Sequence, residues 1–158
     1  MDNDYIGNLK KSFSQSPIEY VNMACLEPEV LEERHVRLRL PAKPLHMNHV
    51  GTVYAGSMFT IAEIAGANLF MCTYGDAYIP ILKSVKVQYM KPAMGDVLVD
   101  LTIDEEMARE KIVPIAERGK GDYLLDVPLM DEGGQQVALA QFNYYVFSQD
   151  RIKEFGMK

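Results

Sequence analysis

Apolar and charged residues alternate along a short segment near the start of the chain. Between His35 and Leu40, aliphatic side chains occupy every even position, and arginines occupy positions 37 and 39. Successive side chains of a β-strand point to opposite faces, so this period is typical of a half-buried strand. The segment 35–40 is therefore predicted to be a strand, and Pro41 and Pro44 are predicted to end it.

A second pattern is a long apolar segment from Ala55 to Tyr74. Its length predicts a helix, and its hydrophobicity on nearly all sides predicts burial on nearly all sides. Gly75 is placed to cap the C-terminus of this helix. Several small residues would let strands approach the helix closely; they are Ala55, Gly56, Ser57, Ala62, Ala65, Gly66 and Ala67.

The second half of the chain contains four runs rich in β-branched and aromatic residues. They lie at 78–90, 96–103, 122–130 and 136–147, and each is predicted to be a strand. The residues 91–96 are predicted to form a turn, and Asp131 to Gly134 a hairpin turn. The charged interval from Asp104 to Arg118 is predicted to be a helix, broken or kinked at Pro114.

These elements predict the fold class. Ser16-Pro17-Ile18-Glu19 resembles a capping box and predicts a short helix in the N-terminal segment, about residues 1–30. One fully apolar helix and about five antiparallel strands have few packing solutions, and a curved sheet wrapped around the helix is the economical one. The chain is therefore expected to be one α+β domain over residues 1–158, with its core at about 33–148.

Composition and charge exclude several classes of function. The 158 residues carry a formal charge of −6 without a basic cluster, which argues against nucleic-acid binding and against anionic membranes. The apolar segment 55–74 contains Glu63 and Asn68, so a buried helix explains it better than a membrane span. Cys25 and Cys72 are expected to be reduced thiols. No secretory signal is visible at the N-terminus, and a cytoplasmic location is expected.

The segment from Asn48 to Glu63, N-H-V-G-T-V-Y-A-G-S-M-F-T-I-A-E, resembles the signature of PaaI-type hotdog thioesterases. The Q-Y-M-K-P-A turn near residue 90 is similar to that family as well. The resemblance, which extends to the related 4-hydroxybenzoyl-CoA thioesterases, implies a hotdog fold and an acyl-CoA or acyl-carrier thioester as substrate. It also implies no further cofactor and an active site at the interface of a homodimer, with a dimer of dimers as an open alternative.

Residue by residue, the resemblance implies that Asn48 positions substrate or water and that Glu63 is the general base or the nucleophile. It assigns the backbone amides around Ala55 and Gly56 to the thioester carbonyl. Tyr54 stands where the motif often has histidine. Relatives often carry a hydroxyl near residues 82–84, where Ser84 is the one available here. Glu63 stands where PaaI-type enzymes more often have aspartate, although 4-hydroxybenzoyl-CoA thioesterases use glutamate.

Glu63 is also singled out by its surroundings, because it is the sole charged residue between Ala55 and Tyr74. A lone carboxylate on a buried helix is costly unless it is paired, hydrated or neutral. The purely structural interpretation is that Glu63 forms an ion pair with Lys83 or Lys86. The functional interpretation needs a second chain, because seven residues of helix place Glu63 about 10 Å along the axis from Gly56.

Two rival functions stay open at this stage. His49 precedes Glu63 by fourteen positions, the spacing of hotdog 3-hydroxyacyl dehydratases, so a dehydratase that uses His49 and Glu63 is one alternative. The altered residues Tyr54 and Ala55 favour the other, a hotdog protein that binds acyl or CoA groups without catalysis. Metal binding is not expected, since the histidines and cysteines show no paired ligand spacing.

Overall fold

The computed structural model describes residues 3–13, 16 and 18–154, and within them six strands form one antiparallel sheet. The helices are α1 (Asn3–Ser12), α2 (Glu19–Met23), α3 (Ala55–Tyr74), α4 (Glu105–Arg118) and α5 (Gln149–Glu154), with one 3-10 turn at Pro44–His46. The strands are β1 (Glu27–Glu32), β2 (His35–Leu40), β3 (Tyr78–Tyr89), β4 (Val97–Thr102), β5 (Lys120–Asp131) and β6 (Gln136–Ser148).

The strands follow the order β1-β2-β4-β5-β6-β3 across the sheet. The alternation in β2 has the predicted meaning, since Val36, Leu38 and Leu40 are fully buried and the arginines between them are partly exposed. The predicted strands after the helix are confirmed as β3 to β6, with bounds that differ by one or two residues. β3 pairs with β6 on one side and forms one edge of the sheet.

The central helix α3 packs against the sheet over most of its length, as predicted. Its bounds match the apolar segment, and Gly75 ends it with φ +67° while its amide bonds to the Met71 carbonyl at 2.9 Å. A methyl group at Gly66 would lie 2.6 Å from the Tyr144 hydroxyl, so glycine there permits the close approach of β6. The curved sheet around a buried helix is thus confirmed.

The N-terminal region differs from its sequence prediction in two respects. It contains strand β1, a sixth strand, in addition to helices, and β1 pairs with β2 along its length. Helix α2 begins at Glu19 rather than at residue 17, and Ser16 is not its cap. The Ser16 hydroxyl accepts a hydrogen bond from the Ile18 amide at 3.1 Å, while Pro17 lies outside the described residues.

The helix predicted between Asp104 and Arg118 is confirmed as α4, but it is not broken at Pro114 and continues to Arg118. The Asp104 side chain caps it by accepting a hydrogen bond from the Met107 amide at 2.7 Å. Asp131 and the residues after it form the turn between β5 and β6.

α3 is long and apolar enough to cross a membrane by composition, yet 61% of its most apolar stretch is buried, as in the core helix of a soluble protein.

Candidate functional site

The loop before α3 is held together by the side chain of Asn48. Its Oδ1 accepts hydrogen bonds from the amides of Val50 and Thr52 at 3.0 and 3.1 Å, and its Nδ2 donates to the Thr52 hydroxyl at 2.7 Å. A side-chain amide that bonds to the backbone two and four residues later fixes a tight turn. Asn48 therefore shapes this loop, and its predicted role toward substrate or water stays a prediction.

The N-terminus of α3 offers free hydrogen-bond donors. Among the described residues, the amides of Ala55, Gly56 and Ser57 have no hydrogen-bond partner, and the first amide that does is that of Met58, which bonds to the Tyr54 carbonyl at 3.1 Å. Such unpaired amides and the helix dipole favour a negative charge. The geometry suits the predicted contact of Ala55 and Gly56 with a carbonyl oxygen.

Tyr54 stands beside these amides. Its side chain is 55% exposed, and its ring lies so close to Gly56 that a Cβ at that position would collide with it. Across from it, the Tyr89 hydroxyl of β3 donates to the Ala55 carbonyl at 2.9 Å. The start of α3 is therefore tied to the edge strand β3 and partly covered by the Tyr54 ring.

Asn48 and Ala55 share one surface feature, which we call the loop groove. It has a volume of about 440 Å³ and lies between the loop, the start of α3 and the turn after β3. Its remaining walls include Thr52, Tyr89 and Lys91. Two of the predicted site residues are thus brought together, with polar groups and a lysine around them.

Glu63 lies elsewhere, on the wall of a second cavity of about 350 Å³ that we call the Glu63 cavity. Its walls come from α3 and from the N-terminal helices, and they include Leu9, Phe13, Val21, Ile64, Ala67 and Met71. A single chain therefore does not bring Glu63 into the loop groove. This separation agrees with the helical spacing derived from the sequence.

The charge of the Glu63 carboxylate is left uncompensated within the part of the chain that the structure describes. Among the described residues it forms no ion pair and no side-chain hydrogen bond, and burial raises its pKa above the ordinary value. The ion pair with Lys83 or Lys86, which was the purely structural interpretation, is not formed. The Lys83 Nζ instead lies 2.7 Å from the Asp122 Oδ1, and Lys86 is exposed. Glu63 is a half-buried acid facing a cavity, which is an arrangement suited to proton transfer or nucleophilic attack.

The other two predicted residues lie apart from these features. His49 is exposed in the turn of the loop, and Ser84 is exposed on β3 just after a bulge, opposite Asn143 of β6. Neither lines the loop groove or the Glu63 cavity. Within the described part of the chain, no group of three or more histidine, cysteine, aspartate or glutamate residues has a geometry suited to a metal ion.

The structure adds His46, which was not among the site residues predicted from the sequence. His46 is 3% exposed, its Nδ1 lies 3.4 Å from the Ser57 hydroxyl, and its carbonyl accepts the Tyr54 amide at 2.7 Å. Burial lowers the pKa of His46, and the backbone of Ala24 opposes this shift. Among the described residues, no well-formed hydrogen bond reaches its Nε2. No local sequence pattern reveals the contact between His46 and Ser57, because the two residues are eleven positions apart.

Comparisons with known proteins place this geometry in a family. Residues 12–146 match the model of a domain family of unknown function, DUF4442. The chain belongs to this family. DUF4442 is a hotdog-like domain family, and the antiparallel sheet around α3 is accordingly the hotdog fold. No curated protein matched the chain.

Solved structures with similar folds agree with the assignment of the hotdog fold. The protein PA5026 from Pseudomonas aeruginosa, named a probable thioesterase, is 36% identical, with a TM-score of 0.82 over 90% of this chain and 96% of its own. Thioesterase HI1161 from Haemophilus influenzae is 13% identical, with a TM-score of 0.70 over 90% of each chain. A protein of unknown function from Chlorobaculum tepidum is 17% identical, with a TM-score of 0.76 over 91% and 94%. The last two share the fold with this DUF4442 chain.

Proposed function

We propose that this protein hydrolyses acyl thioesters, with acyl-CoA as the substrate class, and that it does so as a homodimer. Glu63 of one subunit would face Asn48 and the free amides of Ala55 and Gly56 of the other. Support comes from the names of its structural relatives and from the site geometry. Coenzyme A enters as part of the substrate, so no separate cofactor is required.

The observation that carries the proposal is the uncompensated carboxylate of Glu63. An acid in apolar surroundings without a partner lowers the stability of the fold. Proteins accept such a cost at functional sites, where the reaction requires the group. Lys83 and Lys86 do not supply a competing explanation, because Lys83 pairs with Asp122 and Glu63 forms no ion pair within the described part of the chain.

The free amides at the start of α3 supply the second requirement of thioester hydrolysis. Attack on the carbonyl carbon moves negative charge onto the carbonyl oxygen, and fixed donors at that point lower the barrier. Removal of one good donor of this kind typically costs about 3 kcal/mol of barrier height. The amides of Ala55 and Gly56 are unpaired in the described chain and are free to play this part.

A second copy is needed to unite these groups. Glu63 borders one cavity and Asn48 another, and about 10 Å of helix separates Glu63 from Gly56. β3 is a twelve-residue edge strand, and an unpaired edge of that length is a ready template for pairing with an identical strand. Pairing through β3 would place the two α3 helices on the same side of one continuous sheet.

Two chemical routes use the same arrangement. In one, the Glu63 carboxylate takes a proton from water, which attacks the carbonyl carbon, and the proton passes to the departing thiolate. In the other, the carboxylate attacks directly, the thiolate leaves, and water cleaves the resulting anhydride. Both need ionised Glu63, so turnover should rise with pH through the raised pKa of that side chain.

The test is a screen of acyl-CoA thioesters with a thiol-reactive dye. Glu63→Gln is expected to lower turnover by about a thousandfold with the oligomer intact by light scattering. Glu117→Gln, on the exposed face of α4, is the matched control and should keep full activity. Equal turnover by the two variants would overturn the assignment of Glu63.

Two outcomes of the same screen would point to the rival functions. Tight binding without turnover would support a non-catalytic acyl-binding protein, a possibility that the Tyr54 ring over Gly56 keeps in view. Hydration of an enoyl thioester that is lost in His49→Ala would support a dehydratase. A dehydratase would need His49 of one subunit to approach Glu63 of the other, because within one chain His49 is exposed in the loop and does not line the Glu63 cavity.

A further inference from the structure

The Glu63 cavity differs from two other cavities near the start of α3. Its lining is mainly aliphatic and aromatic, and Glu63 is the one charged side chain among its described walls. The loop groove, by contrast, carries Asn48 and Lys91. A third pocket, lined by His46, Ser57 and Tyr54 among others, holds about 170 Å³.

Besides Glu63, the described walls of the Glu63 cavity carry two polar side chains, those of Asn68 and Ser16, and each of them makes one hydrogen bond within the chain. Asn68 donates its side-chain amide to the Ile64 carbonyl at 2.8 Å, and the Ser16 hydroxyl accepts the Ile18 amide. A ligand in this cavity would therefore meet a mainly apolar wall, with Glu63 as the one charged group among the described residues and with Asn68 and Ser16 as the few uncharged polar groups. Such a wall favours a chain of methylene groups over a ligand with hydroxyls or charges.

We infer that the Glu63 cavity receives the acyl chain of the substrate, and that this chain is aliphatic and of medium length. The inference rests on the proposed function, which puts the thioester carbonyl at Glu63. From that point the acyl chain runs into the cavity of the subunit that carries the acid, while the carrier half lies in the loop groove of the other subunit. The two halves of one substrate thus bind to different chains.

The volume of the cavity sets the length. If a methylene needs about the 30 Å³ that a water molecule takes in the liquid, then a cavity of about 350 Å³ holds a chain of roughly twelve carbons. Each methylene moved from water into an apolar site strengthens binding about fourfold. KM should therefore fall about fourfold per added methylene and level off when the cavity is full.

The experiment is a ladder of saturated linear acyl-CoAs from about four to about sixteen carbons, measured for KM and, separately, for binding by calorimetry. Ala67 lies on the cavity wall and is half-buried, so Ala67→Leu is expected to shift the plateau to chains shorter by about three carbons. Met71→Ala enlarges the same wall and should shift the plateau to longer chains. Ala116→Leu, on the exposed face of α4, adds the same bulk elsewhere and should leave the ladder unchanged.

The two readouts separate the inference from the function on which it rests. Binding that strengthens along the ladder and shifts with Ala67→Leu, without any hydrolysis, would support the cavity and refute the hydrolase. Hydrolysis with no dependence on chain length, or equal ladders for Ala67→Leu and Ala116→Leu, would refute the cavity and keep the hydrolase. A preference for aromatic over aliphatic acyl groups of equal carbon number would also overturn the inference.

Discussion

Charged side chains on the sheet and on the central helix have opposite surroundings. On the less buried face of β1, β2 and β4, the Arg39 guanidinium lies 3.1 Å from the Asp96 carboxylate and also pairs with Glu29. Arg37 lies 2.9 Å from the same Glu29. On α3, the carboxylate of Glu63 has no such partner among the described residues. We call the first group the sheet network.

The difference separates charges that support the fold from one that costs stability. Partly exposed ion pairs cost little to form and contribute modestly each, so a network of them is readily explained by the fold alone. A lone carboxylate beside an apolar cavity has no such explanation, because burial disfavours its charged form. The sheet network should therefore control stability, and Glu63 should control activity at some expense of stability.

The largest effect on stability is expected from Asp96→Ala. The carboxylate accepts the Ala42 amide at 2.8 Å as well as pairing with Arg39, and both contacts would be lost. After a discount for partial exposure, we expect the free energy of unfolding to fall by about 1–2 kcal/mol, or a few degrees in the thermal midpoint. Thermal unfolding measures the loss, and thioester hydrolysis should stay at the wild-type rate.

A matched variant sharpens this result. Asp96→Asn keeps an oxygen that can accept the Ala42 amide and removes only the charge, so its loss of stability should be smaller. An Asp96→Ala protein that unfolds at the wild-type temperature would contradict the role given to the sheet network.

A smaller effect of the opposite sign is expected from Glu63→Gln. The amide is nearly the shape of the acid but carries no charge, so the cost of burying a carboxylate disappears. We expect a gain of about 1 kcal/mol in the free energy of unfolding near neutral pH, in the range found when active-site compromises are removed. The measurement is denaturant unfolding at a fixed protein concentration, because dimer formation shifts apparent stability. Loss of stability instead would mean that Glu63 has a structural partner.

The sequence predicted one side of this comparison better than the other. Glu63 stands out locally, as one charge in an apolar segment whose bounds are those of α3. The sheet network does not, because β1 contains three glutamates and a proline and has little intrinsic preference for strand. Its strand structure depends on pairing with β2, whose arginines face those acids, and long-range pairing is not visible in a local pattern.

The site was predictable in part for the same reason. The loop sequence around Asn48 and the start of α3 carry a recognisable motif, and the structure gathers Asn48 and Ala55 in one groove. The Glu63 cavity was not predictable, because its far wall comes from Leu9 and Phe13. Those residues reach Glu63 only through the packing of the N-terminal helices, which no short-range spacing encodes.

The smallest expected effect is a difference in the pH dependence of stability, and it tests the comparison most directly. The Ala42 amide and then Arg39 hold the pKa of Asp96 below its ordinary value of 3.8, whereas burial raises the pKa of Glu63 above 4.5. A group whose pKa is lower in the folded state than in the unfolded state stabilises the fold at pH values above its unfolded-state pKa. This stabilisation is lost as the pH falls through the folded-state pKa. A group whose pKa is raised in the folded state has the opposite effect. Ionised Glu63 therefore begins to lower the free energy of unfolding as the pH rises above 4.5, and the loss grows until the pH passes its folded-state pKa.

Thermal midpoints of the wild type, Asp96→Ala and Glu63→Gln between about pH 3 and pH 8 would reveal both signs. The gap between wild type and Asp96→Ala should be wide at neutral pH and narrow below 3.8. The gap in favour of Glu63→Gln should be near zero below 4.5 and should open as the pH rises. A gap for Glu63→Gln that is the same at every pH would mean that ionising this acid costs the fold nothing. The contrast between a paired network and a lone functional acid would then have no energetic basis.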